Sequence, residues 1–125
     1  MKALLSIKPE FVSRIKDGEK RFEFRKIQFK QPVQTIVVYA TRPLGKVVGE
    51  FTVKNVLADK PEMIWDATKD GAGVSKTFFD EYYENHKVAV AIEIGDFFSY
   101  KKPMSLTDFD ESLSVAPQSF CYLGS

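Results

Sequence analysis

The chain has one cysteine, one histidine and one tryptophan among its 125 residues. With Cys121 alone there is no internal disulfide, and Cys121 and His86 together are too few for a Cys/His zinc site. We therefore expect no metal and no cofactor. No apolar run approaches the length needed to span a bilayer. The first residues also lack the basic-then-apolar order of a secretory signal, because Lys8, Pro9 and Glu10 break the apolar start. The expectation is a cytoplasmic protein. No repeat, low-complexity tract or domain boundary appears. With 44% apolar residues, the chain reads as one domain over residues 1–125 with a real core.

Charge is plentiful but unevenly placed. Residues 1–60 carry 13 Lys and Arg against 6 Asp and Glu, whereas residues 61–125 carry 5 against 11, which leaves the net charge of +1. Such a split fits an anionic partner for the basic half, and equally two halves that attract each other across the fold.

Residues 3–7 form a short apolar strand. Pro9 suits the first turn of a helix, and Phe11, Val12 and Ile15 recur at helical spacing up to Gly18. Residues 35–40 are apolar and β-branched on both faces, as in a central strand. A loop through Thr41 and Arg42 leads to a long strand over 46–57, in which Gly49 marks a bulge or a close backbone approach. Asp59-Lys60-Pro61-Glu62 reads as a capping box opening a helix that carries Met63, Ile64 and Ala67 inward. Ser75 is placed to cap a second helix bearing Phe78, Phe79, Tyr82 and Tyr83, a stripe that reads as core packing rather than as a stacking platform. Residues 88–94 alternate as a strand. Gly95-Asp96 reads as a turn, followed by another strand over 97–100. The tail over 116–123 is too apolar to be free and should pair or pack. Six strands and three helices in mixed order argue an α+β fold with a curled, open barrel-like sheet.

The densest charge lies in Asp17-Gly18-Glu19-Lys20-Arg21-Phe22-Glu23-Phe24-Arg25-Lys26. In a strand, Phe22 and Phe24 share one face and Glu23 and Arg25 the other. That pattern fits a half-solvated strand with a cross-strand ion pair as well as it fits a polar cluster in a cleft. Lys20 breaks strict alternation and falls near the turn at Gly18.

Gly18-x-Lys20-x-x-Glu23-x-Arg25 resembles the signature of the ASCH domain family, whose fold is a PUA-like β-barrel. Further likeness lies in Leu5-Ser6-Ile7-Lys8-Pro9, Tyr39-Ala40-Thr41 with Gly49, residues 91–96, Tyr100-Lys101-Lys102-Pro103 and Pro117-Gln118-Ser119-Phe120. The resemblance implies RNA or nucleotide binding in a cleft beside the barrel. Arg25 would offer a planar fork to phosphate or a base edge, and Lys20 a mobile charge to phosphate. Glu23 would orient Arg25 and accept from a base amino group. Lys8 would add a second cation, and Thr41 and Arg42 would close the far wall.

Some members of the family are ribonucleases, and a further branch deacylates acetylated cytidine with a Lys, a Thr and a Glu. Glu23 stands where that branch has its Thr. A hydrolase using Lys20 and Glu23 as candidate catalytic groups is therefore one alternative. A protein-interaction domain using the acidic half and the aromatic helix is another. The oligomeric state is open.

Overall fold

The computed structural model describes residues 1–124. Its six strands form one sheet in the order β2-β5-β4-β3-β1-β6. They are β1 (Lys2–Ile7), β2 (Phe22–Arg25), β3 (Thr35–Ala40), β4 (Lys46–Asp59), β5 (Ala89–Met104) and β6 (Phe120–Tyr122). The helices are α1 (Pro9–Lys16), α2 (Pro61–Thr68), α3 (Lys76–Tyr82) and α4 (Leu106–Phe109), with a 3-10 turn at Lys69–Gly71. The chain is α+β, and its sheet curls as a half-barrel, as the mixed order of strand and helix patterns implied. β1 and β3 run parallel and the other neighbours antiparallel.

β1 and β3, each flanked by a strand on both sides, are apolar on both faces. Leu5, Ile7, Ile36, Val38 and Ala40 join Val12 and Ile15 of α1 in one cluster, while Leu4 and Val37 join Val47 and Leu106 on the opposite face. A third cluster gathers Phe22 and Phe24 of β2 with Ile64, Phe79 and Tyr83. Tyr83 also protects the short edge strand, donating from Oη to the Arg25 carbonyl at 2.8 Å and to the Val90 carbonyl at 3.2 Å. An edge carbonyl that would otherwise face water is thereby satisfied.

Several local expectations change. Gly95-Asp96 does not turn the chain. β5 runs 16 residues through it as one strand, so the strand read at 97–100 belongs to β5 and the sixth strand is the tail. A Cβ on Gly95 would lie 2.3 Å from Thr52 Oγ1, so the glycine serves a close approach where β4 and β5 slip register. Gly49 does mark such a place, with the Phe98 carbonyl 2.4 Å from where its Cβ would be. The strand begins at Ala89, and Val88 is half exposed.

The capping box at Asp59 does not form. Lys60 is the N-cap residue of α2, no side chain caps it, and Asp59 Oδ1 accepts only from the Lys60 amide. Met63 and Ala67 face solvent, and Thr68 is buried beside Ile64 instead. Ser75 does cap α3, its Oγ accepting from the Phe78 amide at 3.0 Å. A fourth short helix, α4, follows β5 within the acidic stretch. Among the described residues no helix is long and apolar enough to cross a membrane.

Candidate functional site

A cavity of about 520 Å³ opens between β2, the start of α1, α3 and the segment before β6. Ser6, Lys8 and Phe11 reach it from the β1–α1 junction, and Lys20, Glu23, Phe24 and Arg25 from β2 and its approach. Phe78 and Tyr82 reach it from α3, Lys26 and Ile27 from the loop after β2, and Gln118 and Ser119 from the chain before β6.

Lys20 is the unexpected member. It is 1% exposed, not the mobile surface charge anticipated from its place near a turn. Its backbone N–H donates to Arg14 O at 2.9 Å, which turns the side chain inward past Gly73. Gly73 has a φ of +67°, and a Cβ there would stand 2.5 Å from Lys20 Cβ, so only glycine lets the two segments meet. Lys20 Nζ donates to the Ala72 carbonyl at 2.8 Å and lies over the Phe24 and Phe11 rings at 4.8 and 5.2 Å. Burial disfavours the ammonium and pulls the pKa below its ordinary 10.5; Glu23 opposes this, and Arg14 and Arg25 add to it.

Glu23, 5% exposed, sits between the cations. Its Oε1 accepts from the Phe24 amide at 3.2 Å, and Oε2 is 3.9 Å from Arg25 Nη2. Arg25 Nη2 donates to the Ser6 carbonyl at 2.8 Å, and Nη1 reaches both the carbonyl and the Oγ of Ser119 at 3.3 Å. Glu23 Oε2 and Arg25 Nε are left as an acceptor and a donor, both buried and without a hydrogen-bond partner. Buried polar groups are seldom left so, and a cavity beside them gives a ligand or water room to satisfy both.

The walls are aromatic. Phe11 meets Phe78 edge-on at 5.4 Å, and Phe78 and Tyr82 are nearly parallel at 9°. Lys8 stands 5.7 Å from the Phe78 ring centre and Lys26 4.6 Å from that of Tyr82. The aromatic stripe of α3 thus divides: Phe79 and Tyr83 are buried in the core, with Phe79 also reaching the cavity wall, whereas Phe78 and Tyr82 are only partly buried and line the cavity. Two interleaved i, i+4 pairs on one helix are the signal of two faces, and it was present in the sequence. Ser6, Phe11, Gln118 and Ser119 are further lining residues; the sequence places Phe11 at helical spacing and the other three in stretches of family likeness, but none of them as a site residue.

Of the expected site residues, Lys8, Lys20, Glu23 and Arg25 come together here. Thr41 and Arg42 do not line this cavity. The Thr41 amide donates to the Ile7 carbonyl, and its own carbonyl accepts from Leu44 in the turn to β4. Glu50, away from this cavity, accepts from Tyr100 Oη at 2.9 Å and pairs with Lys2. Among the described residues no cluster of three His, Cys, Asp or Glu side chains is present.

Together these features define an α+β domain with a charged, aromatic-walled cavity beside its curled sheet. The chain belongs to the ASCH domain family: the family model, described as ASCH domain, matches residues 5–98, well over half of the chain. It is 28% identical over 124 residues to an ASCH domain-containing ribonuclease of Zymomonas mobilis, covering 97% of this chain and 83% of that protein. The crystal structure of an ASCH protein from Zymomonas mobilis superposes with a TM-score of 0.88 at 26% identity, covering 98% of this chain and 87% of that one. An ATP synthase subunit alpha of Ureaplasma parvum serovar 3 is 30% identical over 121 residues; that match takes in 96% of this chain but only 15% of the subunit's own length.

Proposed function

We propose that the cavity binds single-stranded RNA through one nucleotide, or binds a free nucleotide, with the base inside and the phosphates at the rim. The observation that carries this reading is the lining itself: Lys8, Lys20, Arg25 and Lys26 against Glu23 alone, between aromatic walls. Its volume falls in the usual range for small-ligand sites, so a strand would enter by one unstacked nucleotide. Phe11, Phe78 and Tyr82 supply faces for a base, Glu23 Oε2 an acceptor and Arg25 Nε a donor for its edge, and Lys8 and Lys26 charge for phosphate. All four cations come from the basic half of the chain. Among the described residues, Lys54–Glu93 is the one ion pair of four that joins the two halves, so attraction between halves accounts for little of the charge split.

The test is fluorescence anisotropy with a labelled mixed-sequence RNA decamer at two salt concentrations. Arg25→Ala should weaken binding about ten-fold or more, the usual scale for losing a charge-assisted contact. Lys8→Ala should weaken it less and reduce the salt dependence. Equal affinity for wild type and both variants would reject the reading.

A second reading, hydrolysis in the same cavity, is favoured by the ribonuclease name of the Zymomonas mobilis relative and by the lowered pKa of Lys20. A buried amine of reduced basicity with a carboxylate acting on it is an arrangement suited to moving a proton. Turnover of the same decamer, lost in Glu23→Gln with binding retained, would support it. Binding without product would leave the binding module.

A further inference from the structure

We infer that residues 117–123 form a latch on this cavity, and that Ser119 is a positioning residue holding the Arg25 guanidinium in place. The inference rests on reading the cavity as the ligand site.

The guanidinium bridges two chain segments that are distant in sequence. Nη2 holds the carbonyl of Ser6 in β1, and Nη1 holds the carbonyl and Oγ of Ser119. Ser6 grips the same segment directly: its amide donates to the Ser119 carbonyl at 3.2 Å and its Oγ to the Pro117 carbonyl at 2.6 Å. Ser6, Arg25 and Ser119 thus form one closed hydrogen-bonded junction at the cavity floor. Beyond it the segment becomes β6, an edge strand of three half-buried residues against β1.

On its other side, β6 is tied to the loop that supplies Lys26 and Ile27 to the rim. Phe29 packs on Phe120 at 4.8 Å, and Tyr122 Oη accepts from the Lys30 amide at 2.8 Å and the Gln31 amide at 3.1 Å. The two pieces of rim therefore move together. The opposite wall does not share this freedom, because α3 is anchored by Phe79 and Tyr83 in the core. A three-residue edge strand whose residues are only half-buried opens more readily than the central strands. Opening here would release Nη1 of Arg25 and remove Gln118 and Ser119 from the wall. A ligand that bonds Arg25 Nε while resting on that wall favours the seated form.

Cys121, the sole cysteine, lies within β6 and reports on the latch without engineering. The experiment measures its modification by a thiol-reactive disulfide reagent at mildly alkaline pH. Ser119→Ala should speed modification about ten-fold or more, the population change expected from losing one hydrogen bond to a charged group. Ser119→Thr, which keeps the hydroxyl, should restore the wild-type rate. In an Arg25→Ala background, or Arg25→Lys should that variant fail to fold, Ser119→Ala should add nothing. A mixed-sequence RNA decamer should slow modification of the wild type. Wild-type rates in Ser119→Ala, or an effect of Ser119→Ala that persists without Arg25, would overturn the latch. So would RNA that binds by anisotropy and leaves the rate unchanged. RNA that does not bind at all would instead remove the proposed function, and the Ser119 and Arg25 rates would still decide the latch.

Discussion

β3 and β2 are both strands with two covered faces, and they fill those faces differently. β3 puts hydrocarbon on each side, Ile36 and Val38 on one and Val37 on the other. β2 puts Phe22 and Phe24 on one side, and on the other Glu23 and Arg25 beside the buried Lys20. Hydrocarbon on both faces is the arrangement that burial favours. Ionised groups withdrawn from water cost free energy that their mutual attraction only partly returns. On the proposed function, a strand that carries such a cost next to a cavity serves binding rather than holding the sheet. Stability should therefore follow β3, and ligand affinity β2.

The largest expected effect tests the β3 side. Ile36→Ala should cost about 2–5 kcal/mol, the range for truncating a large buried aliphatic side chain, with RNA affinity per folded molecule unchanged. Urea denaturation with parallel anisotropy reads both. Gly73→Ala crosses between the regions. It combines a left-handed backbone with a Cβ pressed on Lys20, so it should lose about 1–3 kcal/mol and weaken binding as well. Tyr83→Phe removes the Oη that satisfies the Arg25 and Val90 carbonyls and should cost about 1–2 kcal/mol in the same denaturation experiment.

Lys20→Met should change stability least. Near pH 7 the variant should match or exceed the wild type, since a charge leaves the interior, while RNA affinity falls. Its pH dependence sharpens the point. With the folded pKa of Lys20 below 10.5, there is a window up to 10.5 in which the unfolded chain holds the proton and the folded chain does not. The unfolded state then binds more protons, so wild-type stability should rise with pH through that window relative to Lys20→Met. Below the folded pKa the difference should be flat. Burial pushes the pKa values of Tyr82, Tyr83 and Tyr100 upward, which lowers stability only above pH 10 and in both proteins alike.

The central strands, the Pro9 helix and the alternation of β2 could be read from the sequence because each is decided by local periodicity. The grouping of Lys8, Lys20, Glu23 and Arg25 is implied by the family resemblance, since the alternation of β2 alone fits a half-solvated strand as well as a cleft. What escaped was decided at a distance. Gly95 looks like a turn residue until Thr52 lies against it. Asp59 satisfies a capping pattern, but its carboxylate turns to the next amide instead. Thr41 and Arg42 adjoin β3 in sequence, yet the cavity is closed by Gln118 and Ser119, brought there by the β1–β6 pairing. The burial of Lys20 depends on Gly73, more than fifty residues later, and no local pattern announces it.

The most direct measurement is an NMR titration of the labelled protein with a short single-stranded RNA, following backbone amides and the Arg25 Nε signal. The prediction is a set of shifts confined to the neighbourhoods of Ser6, Lys8, Lys20 to Ile27, Phe78, Tyr82 and Ser119, with the β3 amides still. Shifts centred elsewhere, or none at saturating RNA, would contradict the assignment of binding to β2 and its cavity.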